Sequence, residues 1–230
     1  MRADTLAALN AARAEKRRVC LVRYLEGGGE ALIVDGAAVS GEFPADVAEA
    51  AATALRRDQS MAADTSRGRA FLQVFNPPLR LIVIGAVHIA QALAPMAALS
   101  GYQVTVIDPR RAFATDSRFP DVAMSGEWPD EAMAALAPDR RTAVVALTHD
   151  PKIDDPGLDV ALRSEAFYIA ALGSRRTHAG RLERLRELGH DDATLARIHG
   201  PAGLDIGAVS PAEIAISVMA EMTRALRAPG

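Results

Sequence analysis

Four continuous apolar runs mark the chain beyond residue 80, at residues 81–84, 104–107, 142–147 and 167–172. Such runs are typical of strands that a parallel sheet buries on both faces. Between and after them lie segments with helical character, at residues 89–99, 131–136, 158–163 and 178–188. The alternation of strands and helices predicts an α/β fold built on a doubly wound parallel sheet.

The first third of the chain combines Ala-rich segments with short strands. Residues 4–14 and 45–57 predict helices, whereas residues 18–25, 30–35 and 69–75 predict strands. Gly27-Gly28-Gly29 joins the first two strands as a hairpin, and Asn76-Pro77-Pro78 interrupts regular structure. We therefore predict a small α+β N-terminal domain over residues 1–76 and a second domain over residues 77–230.

A last helix has a clear start. Ser210 can cap it, Pro211 suits its first position, and Glu213 completes a Ser-x-x-Glu capping box. Ile214 and Val218 then share one face, which favours packing against the core over contact with a ligand.

The turn at Gly85 gives the first indication of a ligand. The N–H groups that follow it, from Ala86 to His88, open a predicted helix and can bind an anion. Asp108 ends the next run, close to the roughly 20 residues after the glycine at which an acid binds a ribose hydroxyl pair. The alternative is that Asp108 only begins the turn into Pro109. The pattern predicts a Rossmann-like domain that binds a phosphate-bearing ligand.

Two features beside this turn qualify the prediction. Val87 replaces the glycine that normally lets a pyrophosphate approach the backbone, which weakens the case for a dinucleotide such as NAD. Arg110 and Arg111 follow Asp108 and can either bind phosphate as rigid forks or lie on the solvated surface.

Polar clusters follow the other two long strands. Thr148-His149-Asp150 comes after the third run and Gly173-Ser174-Arg175-Arg176-Thr177-His178 after the fourth. Ligands of open α/β sheets gather outside the carboxyl ends of the strands, so both clusters lie where a site is expected. The second cluster precedes a helix and can form another anion site, with a simple helix cap as the alternative.

Composition and charge narrow the classes of function. The formal net charge is −3 and the arginines are scattered, so no nucleic-acid partner is expected. Cys20 is the only cysteine and no apolar run approaches about 18 residues, so we expect a cytoplasmic protein without a membrane span.

The histidines and hydroxyls do not predict catalysis. His88, His149, His178 and His199 lie in or beside the polar loops, but without the short spacing of metal ligands, and no metal site is predicted. Because no nucleophile stands beside a base, no catalytic residue is predicted.

Together, five segments resemble the XdhC/CoxI family in order and spacing, over roughly residues 68–228. They are Gly85-Ala86-Val87-His88-Ile89-Ala90, Val106-Ile107-Asp108-Pro109-Arg110, Leu147-Thr148-His149-Asp150, Ala171-Leu172-Gly173-Ser174-Arg175-Arg176-Thr177 and Ile198-His199-Gly200-Pro201-Ala202-Gly203-Leu204-Asp205-Ile206-Gly207. The resemblance implies an accessory protein for molybdenum hydroxylases such as xanthine dehydrogenase or carbon monoxide dehydrogenase. Such a protein would hold the molybdenum cofactor (molybdopterin or its nucleotide form) while its sulfido ligand is installed and deliver it to the apoenzyme.

The resemblance also implies a set of cofactor-binding residues. Those that match the family pattern are Gly85, His88, Asp108, His149, Asp150, Gly173, Ser174, Arg175, Arg176, His199 and Asp205, and Ala86 and Arg110 complete the predicted set. The chain departs from the family at Val87, where glycine is usual. It departs again after Val39-Ser40-Gly41, where Glu42 stands in place of a Gly-Cys pair, so that turn offers no thiolate to molybdenum.

Two other functions remain open. Gly85 and Asp108 also fit an NAD(P)-dependent oxidoreductase, whereas Val87 and the altered N-terminal turn fit a non-catalytic interaction subunit that has lost its ligand. The expected partners of a maturation factor are the molybdenum hydroxylase apoenzyme and a cofactor-sulfurating enzyme. The N-terminal hairpin would suit a homodimer, although the sequence shows no interface.

Overall fold

The computed structural model describes residues 1–110 and 118–227. The chain divides into two compact units, Met1–Pro77 and Pro78–Gly230. Among the described residues, no helix has both the length and the apolar character that a membrane span requires.

The first unit is a five-stranded antiparallel sheet with a helix packed on each face. Its elements are α1 (Ala3–Ala14), β1 (Val19–Tyr24), β2 (Glu30–Val34), β3 (Ala37–Ser40), α2 (Ala45–Arg57), β4 (Met61–Thr65) and β5 (Gly68–Phe75), and the strand order is β3-β2-β1-β5-β4. Alternate residues of β1 enter two different cores: Cys20 and Val22 pack with α2, whereas Val19 and Leu21 pack with α1. Burial raises the pKa of the Cys20 thiol to about 12, so this residue is a small apolar core residue.

The predicted hairpin, its two strands and both helices of this unit are confirmed. Tyr24 donates its N–H to the carbonyl of Gly29 at 3.1 Å, which closes the glycine-rich turn between β1 and β2. Strands β3 and β4 were not predicted. Ala37 to Val39 are exposed at the sheet edge, so their sequence lacks the alternation that marks a half-buried strand.

The second unit is built on a six-stranded, wholly parallel sheet. Its strands are β6 (Leu79–Ile84), β7 (Tyr102–Ile107), β8 (Ala123–Ser125), β9 (Thr142–Ala146), β10 (Tyr168–Ala171) and β11 (Ile198–His199), in the order β11-β10-β9-β6-β7-β8. Its helices are α3 (His88–Leu99), α4 (Pro129–Leu136), α5 (Pro151–Arg163), α6 (Arg175–Glu187), α7 (Asp192–Leu195) and α8 (Pro211–Arg227). The first strand of this unit, β6, therefore lies in the middle of the sheet. Strands β7 and β8 lie on one side of it, and the chain then crosses to the other side, where β9, β10 and β11 follow.

Helices cover both faces of this sheet, so the predicted doubly wound α/β fold is confirmed. Alternate residues of β6 again divide between two cores: Leu81 and Val83 pack with α3 and α8, and Ile82 and Ile84 pack with α4 and α5. This double burial is the reason for the continuous apolar runs in the sequence.

Several helices begin earlier than the apolar spacing predicted, because their first turns are polar. The Asp150 side chain accepts the N–H of Lys152 at 3.0 Å and starts α5 at Pro151, and the Ser174 hydroxyl accepts the N–H of Thr177 at 3.1 Å and starts α6. The short elements β8, α7 and β11 were not predicted. The capping box of α8 is confirmed: Ser210 N–H donates to a Glu213 carboxylate oxygen at 2.8 Å, and Glu213 N–H donates to Ser210 Oγ at 3.3 Å.

Candidate functional site

Gly85 directly follows β6 where the strand order reverses, at the crevice in which open α/β sheets bind ligands. Its φ is +108°, its N–H donates to the carbonyl of Ile107 at 2.8 Å, and a side chain here would collide with Thr148. Only glycine combines this conformation with the close approach of the loop that follows β9.

Asp108 lies fully buried beside that turn and is bonded on both oxygens. Ala86 donates its N–H to Oδ2 at 2.8 Å, while the Arg110 guanidinium donates to Oδ1 at 2.9 Å and to Oδ2 at 2.7 Å. Burial alone would raise the pKa of Asp108, but these hydrogen bonds hold it below its usual value. The ribose role of Asp108 stays a prediction, and it requires Arg110 to move away.

The first turn of α3 offers N–H groups beside Gly85. Val87 occupies the N-cap position with extended backbone and no side-chain cap, and its half-buried side chain packs against the core. His88, the first residue of the helix, is exposed, whereas Ala90 is fully buried. The helix N-terminus is therefore open to an anion above a tightly packed helix–sheet contact.

The loop between β9 and α5 is organised by Asp154, which the sequence did not single out. Its carboxylate accepts the Thr148 hydroxyl at 2.7 Å and the N–H groups of Thr148 and His149 at 3.2 and 3.0 Å. Burial raises the pKa of Asp154, and these bonds oppose that rise. His149 itself adopts a left-handed backbone with φ of +65°. The helical position of a carboxylate four residues after Asp150 was the only sequence signal for this role.

The loop between β10 and α6 lies against the β9–α5 loop. A side chain at Gly173, whose φ is +142°, would come within 3.1 Å of Thr177 and 3.7 Å of Nδ1 of His149. Ser174 caps α6, and Arg175 and Arg176 are exposed on its first turn. The structure thus brings together His149 and the predicted residues of this second loop.

A cavity of about 280 Å³ lies between α5 and α6 below these loops. Most of the residues that line it have polar or charged side chains; the lining consists of His149, Pro151, Asp154, Asp155, Arg176, Thr177, Gly180, Arg181 and Arg184. Of the predicted site residues, His149 and Arg176 reach it.

His199 belongs to a separate polar network at the β11 edge of the sheet. Its Nδ1 lies 3.2 Å from Oε1 of Glu221, whose Oε2 accepts the Tyr168 hydroxyl at 2.8 Å and the Gly203 N–H at 3.0 Å. Burial, and then the Glu221 carboxylate, raise the pKa of Tyr168. Sequence reasoning missed Glu221, although a carboxylate on the apolar face of α8, next to the buried Met222, was a signal of a buried polar contact.

The predicted residues therefore fall into three groups along one edge of the sheet. Gly85, Ala86, His88, Asp108 and Arg110 surround the first turn. His149, Asp150 and residues 173–176 form the second group, and His199 belongs to the third. Asp205 is exposed on the loop that follows β11, and Arg111 lies outside the described residues.

No metal centre is formed in the part of the chain that the structure describes. Over residues 1–110 and 118–227, the structure gathers no group of three or more His, Cys, Asp or Glu side chains that could hold a metal ion. The candidate site instead offers guanidinium groups, helix N-termini and a buried carboxylate. Guanidinium groups and helix N-termini bind anions and can orient a ligand that carries phosphate.

Comparison with known proteins gives a consistent set of relatives. A family model described as the XdhC Rossmann domain matches residues 81–222. Uncharacterized protein YqeB of Escherichia coli (strain K12) is 35% identical over 163 residues, which are 70% of this chain and 30% of YqeB. The molybdenum cofactor insertion chaperone PaoD of the same organism is 35% identical over 148 residues, 64% of this chain and 40% of PaoD.

Two further comparisons complete the set. A protein of Bacillus subtilis (strain 168), named as a probable xanthine dehydrogenase subunit, is 34% identical over 153 residues, 66% of this chain and 44% of that protein. The chain thus matches less than half the length of each of these three relatives. The crystal structure of a xanthine dehydrogenase from Bacillus halodurans shares the fold, with a TM-score of 0.70, 24% identity, and coverage of 97% of this chain and 67% of the other.

Proposed function

The chain belongs to the XdhC family, and from this premise we propose that it binds the molybdenum cofactor and assists its insertion into a molybdenum hydroxylase apoenzyme. The observation that carries the proposal is the match over 64% of the chain to a protein named as a molybdenum cofactor insertion chaperone. The target enzyme would be of the xanthine dehydrogenase or carbon monoxide dehydrogenase type, and a cofactor-sulfurating enzyme would be a second partner.

The residues at the carboxyl edge of the sheet fit a cargo that carries phosphate. The open N-terminus of α3 and the Arg110 guanidinium face the crevice beside Gly85, and Arg175 and Arg176 stand at the start of α6. A carrier needs groups that bind, orient and shield its cargo. The residues named here supply binding groups for the anionic part of the cofactor.

The bonds of Asp108 favour this cargo over NAD(H). A nicotinamide dinucleotide would need the Asp108 carboxylate for its ribose, yet Ala86 and Arg110 already donate to both oxygens. A phosphate group would instead bind the Arg110 guanidinium, which Asp108 holds in position, and would not need the carboxylate as a ligand.

Anaerobic titration of one purified sample with molybdenum cofactor and, separately, with NAD(H) tests the proposal. We expect saturable binding of the cofactor, about fivefold or more weaker in Arg175→Ala and in Asp108→Ala, and unchanged in Arg186→Ala. Arg186 lies on the same helix as Arg175, is 53% exposed and pairs with Asp192, so it is a matched control. The wild-type protein should also restore activity to a molybdenum-free hydroxylase apoenzyme.

The other outcomes favour other functions. Binding of NAD(H) without the molybdenum cofactor would support an NAD(P)-dependent oxidoreductase. Binding of neither ligand would support an interaction subunit that has lost its ligand.

A further inference from the structure

The cavity between α5 and α6 contains a buried arginine whose hydrogen bonds are incomplete. Arg181 lines the cavity and is only 1% exposed. Its Nη2 donates to the carbonyl of Leu172 at 3.0 Å, but Nε and Nη1 are buried without a hydrogen-bond partner among the described residues. Guanidinium nitrogens in a protein interior are normally satisfied, because an unpaired buried donor carries its full desolvation cost.

The neighbouring carboxylates do not complete the coordination of Arg181. Asp154 lies 3.6 Å from its Nη2, beyond ordinary hydrogen-bond length, and is bonded to the β9–α5 loop instead. Asp155 accepts two hydrogen bonds from Arg184, at 2.5 and 3.2 Å. Burial lowers the pKa of Arg181, as expected for a cation without a closely bonded anion.

The lining as a whole, Arg181 included, carries a small excess of positive charge. Arg176, Arg181 and Arg184 face two carboxylates, so the described lining has an excess of guanidinium groups. The cavity also lies beside the first turn of α6, a 13-residue helix. Ser174 caps the Thr177 N–H there, and the N–H groups of Arg175 and Arg176 are among the other donors that a helix leaves without an intrahelical partner at this end.

The cavity has room for a small tetrahedral anion together with water. Its volume of about 280 Å³ far exceeds the roughly 30 Å³ that one water occupies in the liquid. Arg176 and Thr177 are exposed and form its rim, whereas Arg181 is buried in its wall.

We propose that this cavity is a binding site for a phosphate group, held by Arg181 and Arg176 at the start of α6. The site is separate from the crevice beside Gly85 and takes phosphate either as the free ion or as a monoester. It deepens the proposed function by naming a second position, besides Arg110, at which a phosphate group of the cofactor can bind. Only the identity of the molecule that bears the phosphate rests on that function.

Isothermal titration calorimetry of the full chain with inorganic phosphate, at constant ionic strength, tests the site. We expect saturable binding that weakens about tenfold or more in Arg181→Met and several-fold in Arg176→Met. Arg186→Met should bind as the wild type does, because Arg186 lies on the same helix outside the cavity. A parallel titration of the same variants with the molybdenum cofactor distinguishes the two sources of phosphate. Weaker cofactor binding by Arg181→Met indicates a phosphate monoester, and unchanged cofactor binding indicates the free ion.

A second pair of variants covers the case in which Arg181→Met fails to fold. Arg176 is exposed, and a side chain at Gly180 would meet only the end of Arg184, at 3.7 Å, so Arg176→Met and Gly180→Leu should fold. Gly180→Leu fills the cavity without changing its charge and should also weaken phosphate binding. Absence of phosphate binding, or equal binding by the wild type and all cavity variants, would overturn the site.

The two proposals fail separately. Loss of the phosphate site leaves the carrier function standing if the wild type still binds the molybdenum cofactor. Phosphate binding without cofactor binding would retain the cavity and contradict the carrier function.

Discussion

At the residue scale, the ion pair between Asp108 and Arg110 occupies both carboxylate oxygens beside the first turn. The spacing from Gly85 predicted that Asp108 lies beside the Gly85 turn, and the structure has it there. The orientation of Arg110 could not be predicted from the sequence. An arginine two residues after an aspartate can point its guanidinium group to solvent or back to the carboxylate, and the sequence does not distinguish these cases. The backbone N–H of Arg110 also donates to Oδ1 of Asp108 at 2.9 Å. This hydrogen bond forms the turn after Asp108 that was the alternative interpretation of the aspartate.

Replacing Asp108 by Asn should lower the free energy of unfolding at pH 7 by about 1–2 kcal/mol. The figure is below that of a fully buried pair, since Arg110 remains 35% exposed. The pKa of Asp108 is lower in the folded state than in the unfolded chain, so its stabilisation is present at neutral pH. It is lost as the pH falls below about 4 through the folded-state pKa.

Urea unfolding of both proteins at pH 7 and at several values down to pH 3 measures this effect. The gap between wild type and Asp108→Asn should narrow with acid. Asp64→Asn, at a side chain that is 94% exposed, is the control and should show no comparable gap. A gap that is the same size at pH 3 and pH 7 would contradict the assignment.

At the scale of elements, the strands were more predictable than the loops that form the site. Strands buried on both faces carry continuous apolar runs, whereas edge strands such as β3 and β8 depend on pairing with a neighbour and leave little trace in the sequence. The polar loops were predicted from their place after the strands. Their internal hydrogen bonds, such as those of Asp154 and Glu221, were not predicted, because the sequence pattern does not reveal the partners.

The loop between β11 and α8 depends on a close contact at Gly203. A side chain there would collide with Ser217 and approach the backbone of α8 to 3.0 Å, and φ is +92°. Gly203→Ala should therefore lower the free energy of unfolding by about 2–4 kcal/mol, the sum of backbone strain and overpacking.

Gly207→Ala in the same loop is the matched control. Its φ is also positive, at +73°, but a side chain there meets nothing within 4 Å. It should cost only the strain, about 1 kcal/mol. Thermal unfolding of the two variants separates the contact from the conformation, and equal losses would show that the contact with α8 contributes nothing.

At the scale of the whole molecule, each unit has its own hydrophobic interior. The cores of residues 1–77 contain only residues of that unit, and those of the parallel sheet contain only residues beyond Pro78. The fold class and the family could be predicted because ordered motifs extend over most of the second unit. The chemistry of a ligand could not be predicted, because it depends on which hydrogen-bond donors remain unbonded after folding.

We expect residues 78–230 to fold when they are expressed alone. Circular dichroism should show a mixed α/β spectrum and a cooperative thermal transition, because the sheet buries both faces within this unit. The phosphate binding proposed for the cavity should persist. An aggregated product without a cooperative transition would show that this unit requires the first.

Glu221 has a consequence for the order in which parts of the candidate site form during synthesis. The Gly85 turn leaves the ribosome early, but the loop after His199 receives its buried carboxylate only when α8 has emerged, since Glu221 bonds Tyr168 and Gly203 at once. In a nascent chain that ends before α8, the Tyr168 hydroxyl and the Gly203 N–H lack the Glu221 carboxylate that accepts their hydrogen bonds. An unfinished chain therefore lacks the carboxylate that orders one of the three groups of the candidate site.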